Sequence, residues 1–151
     1  MPKRLKKVVV FYEDRCLSCR SCELLCSVSH TVSKEIVAAV ARREAPVRRR
    51  WMKSSPTNRV SVGCQHCEPA PCVQACISAA MTKGGDGETL HDPERCVGCW
   101  MCVMVCPFGA IRRVPEKKRV VKCDLCAESD APACVEGCPT KALRICVVEE
   151  E

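Results

Sequence analysis

Residues 96–107, CVGCWMCVMVCP, restrict this chain more than any other stretch. The spacing is C-x2-C-x2-C-x3-C-P, a run suited to wrapping [4Fe–4S] clusters. Three thiolates set two residues apart, Cys96, Cys99 and Cys102, fold around one cube of iron and sulfide. The fourth, Cys106, is followed by Pro107 and points away to serve a second cluster. Such a run is never complete alone, because it trades a cysteine with another run. The chain supplies three more: Cys16-x2-Cys19-x2-Cys22-x3-Cys26, Cys64-x2-Cys67-x4-Cys72-x3-Cys76 and Cys123-x2-Cys126-x7-Cys134-x3-Cys138-Pro139.

Composition agrees with a fold built on metal. Cysteine supplies 17 of 151 residues, while Phe, Trp and Tyr together supply five. Chains this short of large side chains are usually stapled by disulfides or metals. The 47% hydrophobic content misleads, since it counts every cysteine as apolar. Seventeen is odd, and the apolar run Val8–Tyr12 after the basic start is too short for a secretory signal. No stretch reaches the roughly 18 apolar residues of a membrane span. Cysteine-rich chains of a reducing compartment more often bind metal than form disulfides, so the expectation is a soluble, cytoplasmic protein.

The formal charge of +6 invites a nucleic-acid reading. That count treats the cysteines as neutral. Each [4Fe–4S] core with four thiolates carries about −2, so four of them would more than cancel the excess. The cations then read as counter-charge, and nucleic acid is not the expected partner.

Zinc is the competing use of sixteen cysteines. Structural zinc wants two well-separated C-x2-C knuckles closing a tetrahedron. The tight runs at 16–26 and 96–106 put three ligands within seven residues, which suits a cluster face instead. His66, inside Cys64-Gln-His-Cys67, reads as a hydrogen-bonding neighbour rather than a ligand, since sixteen cysteines leave no vacancy. His30 and His91 read as ordinary surface or packing residues. Trp100 reads as a shield over a cluster, and Cys146, the seventeenth cysteine, as a small buried hydrophobe. No nucleophile–base pair, phosphate loop or flavin fingerprint appears, so the chain alone is expected to turn over no substrate.

Between the motifs the elements are short. Residues 8–15 predict a strand entering a loop, and Cys22–His30 a short helix. SKEIVAAVARREA (33–45) predicts a helix of about three turns. Residues 46–59, PVRRRWMKSSPTNR, read as a basic, turn-rich connector. The cations between Arg42 and Arg59 make either a solvated face or a docking surface for an acidic partner, with Trp51 favouring an interface. A hairpin is expected on either side of Gly84–Gly87 and another around Pro115, with a strand and acidic tail at the end. Motifs three and four close on C-P-x-x-A-(I/L)-R and motif two on the weaker CISAAM, so four copies of one unit repeat along the chain.

Four such motifs in this order, with Gln65-His-Cys-Glu-x-Ala-Pro-Cys72 and the run 96–111, resemble the four-cluster ferredoxin subunits of the dimethyl-sulfoxide-reductase beta-chain type. The short soluble members, similar to this chain, serve carbon monoxide dehydrogenase, hydrogenase and formate systems, and tungsten aldehyde oxidoreductases. The resemblance implies an α+β fold of two nested bacterial-ferredoxin-like dicluster modules, loop-rich with short β-hairpins and short helices. The outer module would comprise 1–35 with 116–151, the basic connector 36–57 and the inner module 58–115. It implies that motif one pairs with four, and two with three. One cluster would take Cys16, Cys19, Cys22 and Cys138; the next Cys123, Cys126, Cys134 and Cys26. A third would take Cys64, Cys67, Cys72 and Cys106; the fourth Cys96, Cys99, Cys102 and Cys76. Ser27 and Ile77 depart from the pattern by replacing proline after Cys26 and Cys76.

By the same resemblance the chain would relay single electrons between a catalytic subunit, of tungsten/molybdenum or carbon monoxide dehydrogenase type, and a second partner. That partner would be a flavin subunit, a ferredoxin or a hydrogenase, at low potential and in anaerobic metabolism. A free-standing polyferredoxin and a zinc-stabilised binding module are the alternatives, and self-association stays open. The long membrane anchor or C-terminal extension of larger relatives has no counterpart in the sequence.

Overall fold

Cysteine loops every few residues leave room only for brief regular elements. The computed structural model describes residues 5–149, and none of its helices or strands exceeds nine residues. Eight strands pair two by two into four separate antiparallel ribbons. They are β1 (Leu5–Phe11) with β8 (Leu143–Glu149), β2 (Trp51–Ser54) with β3 (Arg59–Val62), β4 (Met81–Lys83) with β5 (Thr89–His91), and β6 (Arg112–Val114) with β7 (Arg119–Val121). Five helices, α1 (Ser21–Ser29), α2 (Ile36–Ala41), α3 (Pro71–Gln74), α4 (Met101–Val105) and α5 (Ala133–Glu136), lie between them. The result is a loop-rich α+β domain. Among the described residues no helix is long and apolar enough to cross a membrane.

The ribbon β1–β8 joins the two ends of the chain, with Val9 opposite Ile145 and Phe11 opposite Leu143. Val9 and Leu143 bury their side chains with Met52, Ala142 and the cysteines 22, 134 and 138. A second core gathers Met81, Ile111, Val120 and Cys102, with Trp100 and Val103 packed against it. Helices pair in the same sense, α1 against α5 and α3 against α4. Cysteines of the motifs contribute to both cores.

The two predicted hairpins form as β4–β5 and β6–β7, and the closing strand forms as β8. The basic start 1–4 and the last two acidic residues lie outside the described residues. Two readings change. The helix over 33–45 is confined to Ile36–Ala41, because Glu35 caps it by accepting from the N–H groups of Val37 and Ala38 at 2.9 and 2.7 Å. Arg43 then turns left-handed (φ 53°) and Glu44 N–H reaches Ala39 C=O, a Schellman ending. Glu44 turns its carboxylate back to accept from Val32 N–H at 2.8 Å.

The stretch read as a basic connector is partly built into the molecule. Residues 51–62 form the β2–β3 ribbon, and Met52 enters the first core. Arg48 pairs with the buried Glu23 at 2.7 Å, Arg49 with Asp124, and Arg50 is buried outright. Trp51, half-buried, carries the Arg112 guanidinium 5.0 Å from its ring centroid. Cys146 is half-buried, opposite Val8, rather than a core residue.

Candidate metal centres

Each motif begins with the same backbone step. The second residue after the first cysteine is left-handed in all four: Ser18, His66, Gly98 and Leu125 have φ of 55°, 49°, 69° and 59°. This step turns an N–H back onto sulfur, and Ser18 N–H meets Cys16 Sγ, as His66 N–H meets Cys64 Sγ, at 3.4 Å. Ser, His and Leu tolerate the conformation, so glycine is needed at 98 for another reason. A Cβ there would run into the Lys118 carbonyl. We expect Gly98→Ala to cost roughly 1–3 kcal/mol through overpacking. Thermal unfolding compared with Gly85→Ala, whose Cβ would meet nothing, checks this; equal midpoints would refute it.

The third cysteine and the returning fourth sit a helical turn apart on α1, or on and just beyond α3, α4 and α5, hence on one face. The returning cysteines share a second device. Three residues after Cys76, Cys106 and Cys138 the backbone is left-handed at Ala79, Gly109 and Lys141. The next N–H then turns onto sulfur: Ala110 reaches Cys106 Sγ at 3.4 Å and Ala142 reaches Cys138 Sγ at 3.2 Å. That alanine is 1–2% exposed at 80, 110 and 142. Here is the physical content of C-P-x-x-A.

Cys26 departs from this. Without proline at 27, α1 runs on to Ser29, and the sulfur takes its N–H from Arg49 at 3.4 Å, on a distant segment. Burial would push the Cys26 thiol up, but hydrogen bonding from His30 and the N–H groups of Arg49 and Arg50 outweighs it and holds it below its usual value. His30 is therefore more than a surface residue. Its Nδ1 lies 2.6 Å from Cys26 C=O and its Nε2 3.2 Å from Asp124 Oδ1, while Asp124 also accepts from Cys126 N–H and Arg49. Burial acts to lower the His30 pKa, but Asp124 and Cys26 prevail and lift it to about 10. His30, Asp124 and Cys126 approach within 4.8 Å of one another, so this ionic cluster abuts the fourth motif.

The thiols gather across motifs. Cys16, Cys19 and Cys22 wall a small cavity together with Cys138. Cys64, Cys67 and Cys72 wall another together with Cys106. Cys134 lies in the electrostatic field of Cys123, Cys26 and Cys126, and Cys102 in that of Cys72, Cys76 and Cys96. Cys99 stands exposed between Cys96 and Cys102, as Cys19 stands exposed in motif one.

These pockets fit a thiolate-bound group. Burial pushes the Cys134 thiol up to about 12, and Cys22 and Cys102 to about 11. Such thiols ionise only when a metal takes the proton's place. Thr89, 0% exposed, lines the Cys64 cavity with a hydroxyl that finds no protein partner. His66, equally buried, accepts from Thr89 N–H on Nδ1 at 2.9 Å, leaving its proton on Nε2. Burial and the cations Lys122, Lys83, Lys6 and Arg50 lower its pKa to about 3, so the ring is neutral. Trp100, left-handed at φ 64° where it caps α4, is half-buried on the second core.

Residues 57–148 match the family described as the 4Fe-4S dicluster domain, and the chain belongs to it. It is a ferredoxin chain of the dimethyl-sulfoxide-reductase beta-chain type. An iron-sulfur protein of Rhodospirillum rubrum is 38% identical over 96% of this chain and 85% of its own. The B subunit of the anaerobic dimethyl sulfoxide reductase of Escherichia coli (strain K12) is 34% identical over 91% of this chain and 71% of its own length. The thiosulfate reductase electron transfer subunit of Salmonella typhi is 34% identical over 95% and 77%. In fold the chain is similar to one in the solved active site complex BamBC of benzoyl coenzyme A reductase, with TM-score 0.53, 22% identity and coverage of 99% and 81%.

Proposed function

We propose that this chain is an electron-transfer subunit holding four [4Fe–4S] clusters, a non-catalytic relay within an oxidoreductase complex. The observation that carries the reading is the meeting of cysteines from different motifs, with Cys138 walling the Cys16 cavity and Cys106 the Cys64 cavity. Bound clusters supply one-electron redox chemistry. The chain's own part is to hold them with the ligand sets Cys16/Cys19/Cys22/Cys138, Cys123/Cys126/Cys134/Cys26, Cys64/Cys67/Cys72/Cys106 and Cys96/Cys99/Cys102/Cys76. Phe11, Met52 and Leu143 keep water from the first set, and Phe108 and Ile111 from the third.

Two nested modules organise the sets. The outer takes 1–35 and 116–151, the inner 58–115, with 36–57 between them. Val120 packs on the inner core, so β6–β7 straddles the boundary. The exposed Cys19 lies near exposed Leu17 and Leu24, and the exposed Cys99 near Val97 and Met101. These mark two ends at which electrons enter and leave. The relatives' names, a thiosulfate reductase electron transfer subunit and a dimethyl sulfoxide reductase B chain, support a reductase complex as the setting; we read the catalytic partner as a subunit of tungsten/molybdenum or carbon monoxide dehydrogenase type. The other is a flavin subunit, ferredoxin or hydrogenase.

Iron and sulfide analysis of anaerobically purified protein, with visible and EPR spectra on reduction, tests the reading. We expect about sixteen irons per chain and coupled signals from reduced clusters. About four zincs and a colourless protein would overturn it in favour of a zinc-stabilised module.

A further inference from the structure

Three consecutive arginines meet three different fates. Arg48 pairs with Glu23 and Arg49 with Asp124. Arg50 is 1% exposed and leads the fully buried side chains in volume. Its Nη1 donates to Ser61 Oγ at 3.0 Å, while Nε and Nη2 find no acceptor in the protein. No carboxylate pairs with it among the described residues. The buried Glu23 is already engaged by Arg48 and by Met52 N–H at 2.5 Å. An unpaired buried charge is strongly disfavoured unless something of opposite sign lies near.

The fold nevertheless makes room for it. A Cβ at residue 63 would stand 2.5 Å from Arg50 Cζ, so glycine at that position leaves the guanidinium its space. Its chain neighbours touch sulfurs of two ligand sets, Arg49 N–H meeting Cys26 Sγ at 3.4 Å and Met52 packing with Cys22, Cys134 and Cys138, and Cys22, Cys123 and Cys134 feel the Arg50 charge. As neutral thiols these offer no counter-charge. As ligands of clusters that are each about −2 with their thiolates, they do.

We propose that Arg50 is a built-in counter-cation shared by the two clusters of the outer module, holding their reduction potentials up and donating N–H groups toward their sulfurs. The inference rests on the four-cluster reading. Reduction adds one negative charge to a cluster, and a fixed cation in a poorly screened interior favours the more negative state. Hydrogen bonds to sulfur act in the same direction. Arg50 also abuts Gly63, next to Cys64 of an inner set, so only the set Cys96/Cys99/Cys102/Cys76 serves as the internal reference.

EPR-monitored redox titration of the whole protein, parent against Arg50→Met, tests this. We expect about sixteen irons in both, the two outer-module potentials lowered most, and that of the Cys96/Cys99/Cys102/Cys76 set unmoved. Each outer-module potential should fall by at least tenfold in its one-electron equilibrium, or 59 mV. Arg50→Lys, which keeps the charge, should shift less. Full iron content with no potential moved, or with all four moved alike, would overturn the proposal. Should Arg50→Met fail to assemble, Gly63→Ala decides, because it displaces the guanidinium and keeps the charge. Movement of the same two potentials supports the role, and unchanged potentials refute it. A parent without iron would instead defeat the four-cluster reading itself, and this proposal with it.

Discussion

Stripping iron from the anaerobic protein is expected to abolish its cooperative unfolding transition and most of its ordered circular dichroism. The helices run from four to nine residues, and isolated helices below roughly 12–15 residues are marginal in water. The strands form four separate two-stranded ribbons, each marginal without a third strand or a packing partner. What they would pack on is interleaved with the proposed ligands: Cys22, Cys134 and Cys138 in one core, Cys102 in the other. Thiol–metal bonding therefore cannot be subtracted while the apolar core remains. The magnitudes agree. A single structural metal site contributes about 10–16 kcal/mol in small domains, and a typical domain has only about 5–15 kcal/mol of net stability. Far-UV spectra and thermal melts before and after chelation read the effect. A sigmoidal melt within a few degrees of the loaded protein would show that the apolar contacts suffice.

The cofactor was legible because cysteine spacing is local and its chemistry is narrow. The four motifs, the two glycine- and proline-centred hairpins and the closing strand were all short-range signals. What escaped was long-range. Nothing near Arg50 marks it as buried, since its neighbours Arg48 and Arg49 share its residue type and only tertiary partners, Glu23 and Asp124, sort the three. The β2–β3 ribbon had a signal in Trp51-Met-Lys-Ser and Arg59-Val-Ser-Val on either side of a Ser-Pro-Thr-Asn turn, but the arginine run hid it. The absence of proline at 27 was visible. Its consequence, a continued α1 and a sulfur served by Arg49 from another segment, was not. His30 looked ordinary because its partner, Asp124, is 94 residues away.

Double substitutions distinguish exchanged cysteines from self-contained motifs. In the exchange scheme Cys22 and Cys138 serve one cluster, while Cys26 serves another. Removing Cys22 and Cys138 together then damages a single site, and we expect about twelve irons to remain. Removing Cys22 and Cys26, neighbours on the same helix, damages two sites and should leave about eight. If each motif closed its own cluster the two results would change places. The geometry favours exchange: Cys138 walls the cavity of Cys16, Cys19 and Cys22 from just beyond α5, which packs on α1, whereas Cys26 lies in the field of Cys123 and Cys134. Cys146→Ala is the control. It sits opposite Val8 in the terminal ribbon and borders neither cavity, so its removal should leave the iron content untouched. Iron loss there would mean that a ligand set has been misassigned. Exchange would also make the chain's ends interdependent, because closing the first site would require β8 and α5 to be docked before Cys16–Cys22 could complete their ligand set.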